Sequence, residues 1–278
     1  MNQNKIAFIG GGNMAFSLIG GLVASDCPGR NIHVADPNPD ALTNLQQQFG
    51  VTPIQTNDAD LLNQMDAIVL AVKPQILAEV SKALGATLAI QPQQPLIISV
   101  AAGIRSTDIA RWIGNTPAIV RTMPNTPALL QSGATGLYAN SQVNEQQKSL
   151  AESILRAVGT TAWLEEEAQI DAVTALSGSG PAYFFLFMEA MEQAGESMGL
   201  STETARMLTL QTAFGAAKMA LERPESSAEL RRKVTSPGGT TEAAIGTFQQ
   251  LELESTVARA MKAAQQRATE LADQLGKD

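Results

Sequence analysis

Two glycine-rich turns carry the residue types that could bind anionic ligands. The first, residues 10–15, reads GGGNMA, follows a short apolar run and matches the pattern G-x-G-x-x-A. In this pattern the first glycine permits a tight turn and the second lets the backbone approach a pyrophosphate, whose charge meets free N–H groups at the start of the next helix. The first turn therefore indicates a dinucleotide site.

An acidic residue stands where such a site needs one. Asp36 ends the second predicted strand, where a carboxylate bonds the adenosine ribose hydroxyls and repels a 2′-phosphate. Between Arg30 and Lys73 the sequence has no Arg or Lys that could hold that phosphate, so these residues by themselves favour NAD(H). The alternative is that Asp36 only shapes an Asp-Pro turn.

The second turn, residues 236–241, reads SPGGTT and leads into a helix that we predict over residues 242–250. Glycines that expose backbone N–H groups at a helix start make a carboxylate site. The hydroxyls of Thr240 and Thr241 are the ones beside it that could both cap the helix and reach a ligand. The alternative is that both threonines are plain N-caps.

The scarcity of histidine and cysteine narrows the chemistry. The sole histidine, His33, falls inside the second predicted strand and is interpreted as structural. Cys27, the sole cysteine, can form no internal disulfide, and one cysteine with one histidine builds neither a metal cluster nor a thiol relay. A 2-hydroxy-acid dehydrogenase usually needs a base for the hydroxyl proton, whereas a substrate with a protonated C=N bond would not.

The elements that position these residues fall into two halves. Up to residue 164, short apolar runs alternate with helix-length amphipathic stretches, as a parallel sheet with crossover helices requires. Beyond residue 165 the pattern is helical, broken at two glycine-containing turns, residues 177–181 and 236–239. We predict a helix over residues 13–24 and strands over residues 5–9, 32–35, 67–71, 96–100 and 118–121. The fold class is thus an α/β Rossmann domain, residues 1–164, with an all-α domain, residues 165–278.

Composition and charge exclude several partners. The chain has 278 residues, of which 44% are hydrophobic, and its net charge of -8 offers no basic surface to nucleic acid or anionic lipid. The longest apolar run, residues 182–188, is too short to span a bilayer, and no signal peptide is recognised. We expect a cytoplasmic protein without nucleic-acid or membrane partners and without a bound metal.

Two helical stretches, residues 182–191 and 205–221, are apolar on more than one face. One explanation is that each helix is central to its own domain. The favoured explanation is that a second subunit completes the core, because obligate dimer interfaces resemble a domain core cut in half. We therefore expect the helical domain to be a dimerisation domain.

Longer motifs resemble the pyrroline-5-carboxylate reductase family over essentially the whole chain. Residues 230–250 match its specific C-terminal signature as LRRKVTSPGGTTEAAIGTFQQ. Further matches are residues 71–74 (AVKP), 99–103 (SVAAG), 123–128 (MPNTPA) and 170–183 (IDAVTALSGSGPAY). The resemblance implies reduction of 1-pyrroline-5-carboxylate to L-proline by NADPH or NADH, the last step of proline biosynthesis, in homodimers that can assemble further into a decameric ring of dimers.

The resemblance also implies roles for individual residues. Thr241 would be the catalytic residue that hydrogen-bonds the ring nitrogen, and the substrate would be bound by Ser236, Gly238, Gly239, Thr240 and Glu167. The cofactor contacts would be Ile9, Gly10, Gly11, Gly12, Asn13, Met14, Asn57, Ala71, Val72, Lys73, Pro74, Val100, Ala101 and Ala102, and Asp36, indicated above by its own chemistry, would join them. Asp36 is a departure, since the family mostly works with NADPH and commonly has a small hydroxyl residue or a phosphate-binding group there, so either cofactor could serve.

Two other functions compete with this interpretation. A β-hydroxyacid dehydrogenase shares the architecture and would carry a catalytic lysine on a glycine-containing helix, where Lys218 follows Gly215. A non-catalytic dinucleotide sensor would bind a protein partner through its helical domain. That function would leave the second glycine turn and its threonines without a purpose.

Overall fold

The computed structural model describes residues 3–56, 58–88 and 94–277. Its described residues form two compact units, residues 1–179 together with 264–278, and residues 180–263. The first unit extends to residue 179 and also contains the C-terminal residues, whereas the sequence predicts one boundary at residue 164. That domain boundary stays a prediction. Asn57 lies outside the described residues.

The first unit contains an eight-stranded sheet in the order β3-β2-β1-β4-β5-β6-β7-β8. The strands are β1 Ile6–Ile9, β2 Ile32–Ala35, β3 Thr52–Pro53, β4 Ala67–Leu70, β5 Leu96–Ser99, β6 Ile119–Met123, β7 Gly133–Ala139 and β8 Gly159–Trp163. All neighbouring pairs are parallel except β6 and β7, which are antiparallel. The strand order reverses between β1 and β4, and this switch point is where open α/β sheets bind ligands.

Helices cover this sheet on both faces. They are α1 Asn13–Ala24, α2 Pro39–Phe49, α3 Ala59–Leu62, α4 Pro74–Thr87, α5 Ser106–Ile113 and α6 Glu145–Arg156. Successive residues of a strand point to opposite faces, so Phe8 joins a core with Leu18 of α1, while Ile9 joins a second core with Leu77 of α4. The predicted Rossmann half is therefore confirmed.

The sequence analysis missed three strands. β3 has only two residues, and β7 and β8 contain glycine, alanine and threonine rather than a continuous apolar run. The sheet is mainly parallel, as expected, but β7 and β8 run opposite to the other strands. Both extend the sheet beyond β6, away from the switch point.

The chain beyond the sheet is helical, as predicted. Its helices are α7 Gln169–Val173, α8 Gly180–Ser197, α9 Thr202–Glu222, α10 Ser227–Lys233, α11 Thr240–Gln250 and α12 Leu253–Leu275. The predicted break at residues 177–181 spans the end of a π-helical turn, Thr174–Gly178, that continues α7, the bend at Ser179 and the start of α8. Among the described residues, no helix combines the length and apolarity that crossing a membrane requires.

The second unit leaves much of its apolar surface uncovered. Phe184, Phe185 and Leu186 on α8 are each about two-thirds exposed in the single chain, at 68%, 64% and 67%. On α9, Met207, Leu208, Phe214 and Leu221 are also exposed. The alternative that each helix is central to its own domain is therefore wrong for a single chain, and the expected second subunit fits these exposed faces.

Candidate active site

The first glycine turn is built so that only glycine fits its first position. Gly10 has φ +104°, and an added Cβ would lie 2.5 Å from the carbonyl oxygen of Ala71. Its N–H donates to the carbonyl oxygen of Ala35 at 2.8 Å. The chain thus leaves β1 between the ends of β2 and β4, at the switch point of the sheet.

The start of α1 is open to an anion. Gly12 is the N-cap, and among the described residues no side chain caps the helix and no acidic residue occupies its first turn. A Cβ on Gly12 would meet no described heavy atom within 4 Å. Because the first N–H groups of a helix lack intrahelical partners, this end offers donors and a positive dipole to a pyrophosphate. The residues present therefore fit a dinucleotide.

Asp36 serves the turn itself as well as facing the same edge. Its Oδ2 accepts from the N–H of Gly11 at 2.6 Å, and its Oδ1 accepts from the N–H of Asn38 at 2.8 Å. The second bond is the turn-shaping contact proposed as the alternative. Each carboxylate oxygen keeps a further lone pair, so shaping the turn and bonding a ribose are compatible roles.

The other described cofactor residues follow β4 and β5 at the same edge. The N–H of Ala71 donates to the carbonyl oxygen of Ile9 at 2.8 Å, and Pro74 begins α4 with Lys73 as its N-cap. After β5, the N–H of Val100 donates to the carbonyl oxygen of Leu70 at 3.2 Å. The structure thus brings together Ile9, Gly10, Gly11, Gly12, Asn13, Met14, Asp36, Ala71, Val72, Lys73, Pro74, Val100, Ala101 and Ala102 along the carboxyl ends of four adjacent strands.

Glu167 lies in a polar network of the first unit. Its Oε1 accepts from the N–H of Ser106 at 2.6 Å and from Nη1 of Arg121 at 3.1 Å, and its Oε2 accepts from the Ser106 hydroxyl at 2.7 Å. Arg121 is 3% exposed and lies 3.8 Å from Asp171. Glu167 therefore stabilises the start of α5 and balances a buried charge, a role that the sequence analysis missed.

The second glycine turn is preformed but lies fully open in the single chain. Gly238 has φ +70° and its N–H donates to Oε2 of Glu242 at 2.7 Å, while the N–H of Gly239 donates to the carbonyl oxygen of Ser236 at 3.0 Å. Ser236 and Gly238 are exposed, and Gly239 is half-buried. The turn is held by its own backbone and by one carboxylate, which sequence spacing did not single out.

The two threonines are free for a ligand. The helix α11 begins at Thr240, two positions before the predicted start, and Gly239 is its N-cap. Neither threonine is therefore an N-cap. Both are exposed, and their hydroxyls make no hydrogen bond within the part of the chain that the structure describes. The start of α11 therefore carries N–H groups without intrahelical partners and two exposed hydroxyls.

His33, Cys27 and Lys218 were not assigned to either glycine turn. Burial and the positive charge of Lys5 lower the pKa of His33, and burial raises the pKa of the Cys27 thiol. Lys218, the candidate lysine of a β-hydroxyacid dehydrogenase, is exposed and pairs with Glu222 at 3.7 Å. Within residues 3–56, 58–88 and 94–277, no group of three or more histidine, cysteine or acidic residues could hold a metal.

Comparisons with known proteins identify the family. The model of pyrroline-5-carboxylate reductase dimerisation matches residues 167–271, and a model described as NADP oxidoreductase, coenzyme F420-dependent, matches residues 5–103. The pyrroline-5-carboxylate reductase of Pseudomonas aeruginosa is 53% identical over 99% of this chain and 100% of its own length. That of Pasteurella multocida is 42% identical over 98% of each chain.

Solved structures agree. The pyrroline-5-carboxylate reductase of Coxiella burnetii has a TM-score of 0.92 and 46% identity, covering 98% of this chain and 99% of its own. The Plasmodium falciparum pyrroline carboxylate reductase, solved with NADP bound, has a TM-score of 0.84 and 28% identity over 98% and 99%. The chain therefore belongs to the pyrroline-5-carboxylate reductase family, the self-associating NAD(P)H-dependent oxidoreductases that reduce 1-pyrroline-5-carboxylate to L-proline.

Proposed function

We propose that the two glycine turns divide the reaction between them, the first binding NAD(P)H and the second binding the substrate. The observation that carries this division is that α1 and α11 both begin at glycine N-caps without a side-chain cap in the described chain. Each helix start therefore has N–H donors for an anion. The cofactor carries a pyrophosphate and the substrate a carboxylate, so one turn serves each.

The carboxyl edge of the sheet is proposed to bind and orient NAD(P)H. The N–H groups of Gly12, Asn13 and Met14 are the proposed pyrophosphate donors, and Asp36 is the proposed partner of the adenosine ribose. Bound NAD(P)H supplies the hydride. The residues that follow β4 and β5, together with Asn57, are proposed to enclose the two nucleotides.

The second turn orients the imine. We assign the substrate carboxylate to the turn formed by Ser236, Gly238, Gly239 and Thr240, where the hydroxyls and the first N–H groups of α11 are the donors. The N–H of Gly238 joins them when the substrate carboxylate replaces that of Glu242. We assign the ring nitrogen to the hydroxyl of Thr241. Hydride addition to the carbon of a protonated C=N bond gives the secondary amine directly, so no general base is needed. This agrees with the structural position of the sole histidine, which lies inside β2.

Glu167 is proposed to border the substrate site through the part of its carboxylate that remains open. Three donors already hold its two oxygens, and a carboxylate offers about four lone-pair sites. Because these donors already hold the carboxylate in place, its remaining lone pair could accept a hydrogen bond without a further loss of side-chain entropy. Its contribution to substrate binding is therefore secondary to its structural role.

The proposal also covers the domain boundaries, the oligomeric state and the cellular location. Residues 1–164 would form the cofactor domain and residues 165–278 the dimerisation and substrate domain, with dimers assembling into a decameric ring. A cytoplasmic location is proposed because the reaction consumes reduced nicotinamide cofactor and the single cysteine is a free, buried thiol.

The substitution Thr241→Ala tests the assignment of the second turn. Losing a hydrogen bond to a charged or partly charged group costs about 1.5 to 3 kcal/mol, so kcat/KM should fall by roughly 10- to 150-fold if the bond is made in the transition state. Cofactor affinity, thermal stability and oligomeric mass should stay nearly unchanged.

Thr247→Ala is the matched control on the same helix, because the Thr247 hydroxyl only bonds the carbonyl oxygen of Ala243 at 3.1 Å. Its kcat/KM should match the wild type. Unaffected kinetics in Thr241→Ala would remove Thr241 from the site. Loss of about 1 kcal/mol of stability without a kinetic effect would assign it a purely local role in the helix.

A further inference from the structure

The loop after β5, residues 100–103, rests on the C-terminal end of α12. Gly103 has φ +71°, a left-handed conformation in which glycine is favoured. A Cβ added to Gly103 would lie 3.3 Å from Cβ of Leu271 and 3.6 Å from Cδ1 of Leu275. The last two turns of α12 therefore fill the space beneath this loop.

Apolar packing holds the same segment in place. Leu275 packs against the second core cluster, whose buried members include Ala101, Ile104 and Ile109. Ala101 belongs to the loop, and Ile104 directly follows it. Moving Leu275 would thus disturb the side of the loop that faces the core.

Polar contacts link the end of α12 to α5, which begins three residues after Gly103. Nη2 of Arg105 lies 2.6 Å from Oδ1 of Asp273, and this hydrogen bond raises the pKa of Arg105. Arg111 donates to the carbonyl oxygen of Gly276. Apolar and polar contacts therefore fix both the loop and the helix that follows it.

The position of this loop in the sheet connects it to one half of the cofactor. β2, which ends at Asp36, lies on one side of β1, whereas β4 and β5 lie on the other. A dinucleotide spans the switch point with one nucleotide over each half of the sheet. If Asp36 bonds the adenosine ribose, the loop after β5 lies under the nicotinamide nucleotide.

We propose that residues 269–275 of α12 position the loop 100–103 for the nicotinamide half of the cofactor, with Leu271 and Leu275 as the positioning residues. This inference rests on the proposed cofactor site and adds a specific role for the C-terminal helix. A loop held in its binding conformation loses less entropy when the ligand binds. Loosening the loop should therefore weaken the complete cofactor more than its adenosine fragment.

The test compares ligands that span the site with ligands that occupy only the adenosine half. The double variant Leu271→Gly/Leu275→Ala, which removes Cβ of Leu271 and Cδ1 of Leu275, is titrated with NADH and NADPH by fluorescence, and with ADP and adenosine 2′,5′-bisphosphate by calorimetry. We expect about tenfold weaker binding of the reduced cofactors, the effect of losing about 1.4 kcal/mol, with fragment affinities within about twofold of the wild type.

Leu150→Ala is the matched control, because Leu150 is also half-buried but packs against the first core cluster on α6. It should leave all four affinities unchanged. Asp273→Asn keeps the leucines and removes only the exposed ion pair, so it remains informative if the double variant does not fold. It should weaken the reduced cofactors about two- to threefold, again without affecting the fragments.

Equal weakening of cofactors and fragments would overturn the inference, because it would show a general loss of structure. Unchanged cofactor affinity in both α12 variants would also overturn it. Failure of the proposed cofactor site itself would give a distinct result. If the fragments do not compete with the reduced cofactors in the wild-type protein, the proposed cofactor site is wrong, and the positioning role is wrong with it.

Discussion

The two glycine turns begin from the same local chemistry but lie in different surroundings. The first is enclosed by the sheet, so that a side chain on Gly10 would collide with the backbone of Ala71. The second is exposed, and a side chain on Gly238 would meet no described atom within 4 Å. A glycine turn next to a helix start therefore indicates a ligand type, while its surroundings decide whether one chain completes the site.

The two units that carry these turns also differ in how much apolar surface they expose. The first unit packs two apolar cores against its sheet. The second unit exposes the apolar faces of α8 and α9. The family model that matches this region describes dimerisation, and under the proposed function the substrate site of that unit gains its walls when a second copy covers those faces.

The largest contrast is expected between Gly10→Ala and Gly238→Ala. Gly10→Ala combines an unfavourable φ with an overlap against backbone that cannot move easily, so it should destabilise the protein by about 3 kcal/mol and weaken cofactor binding at least about tenfold. Gly238→Ala has only the conformational cost of about 1 to 2 kcal/mol and should raise KM for the imine without changing cofactor affinity.

Thermal unfolding and cofactor titration of the two purified variants measure this contrast. The comparison fails if Gly238→Ala weakens the cofactor as strongly as Gly10→Ala, since both turns would then serve one ligand. It also fails if Gly10→Ala binds the cofactor normally, because the first turn would then not be the cofactor site.

A smaller effect is expected from substituting Asp36, whose charge rather than its size should determine the preference between NADPH and NADH. In the proposed cofactor site, Asp36→Ser removes a carboxylate next to the position of a 2′-phosphate, so the ratio of kcat/KM for NADPH to that for NADH should rise about tenfold, or about 1.4 kcal/mol. The wild type should retain appreciable activity with NADH. Steady-state kinetics with both cofactors give the ratio.

Asp40→Ser is the control for this prediction, because Asp40 is an exposed acid in the first turn of α2 and the change in charge is the same. Its cofactor ratio should not change. A wild type that already prefers NADPH by a large factor, together with no effect of Asp36→Ser, would show that Asp36 does not point at the ribose.

The sequence predicted the cofactor half well because its signals are local. Strands β1 and β4 are continuous apolar runs, and β2 and β5 are interrupted only by His33 and Ser99. Glycine, Asp-Pro or Lys-Pro follows each of these strands within a few residues. The strands β3, β7 and β8 were missed because they are short or consist of small and polar residues. Long-range pairing makes these residues strands, and periodicity does not report it.

The contacts that hold the sites were harder to predict. Glu167 and Ser106 are 61 positions apart, and Arg105 and Asp273 are 168 apart. No spacing rule relates such pairs. The capping of α11 by Gly239 was also missed, because threonine is a common N-cap and the sequence contains two beside the turn.

Light scattering combined with specific activity tests the central claim most directly, namely that the exposed second turn works only in a self-associated protein. The wild type and Phe185→Glu, which places a charge on the exposed face of α8, are compared at micromolar concentration. We predict that every active sample has a mass of at least two 29.3 kDa chains, and that Phe185→Glu loses mass and activity together. Full specific activity in a stable monomer would contradict the account.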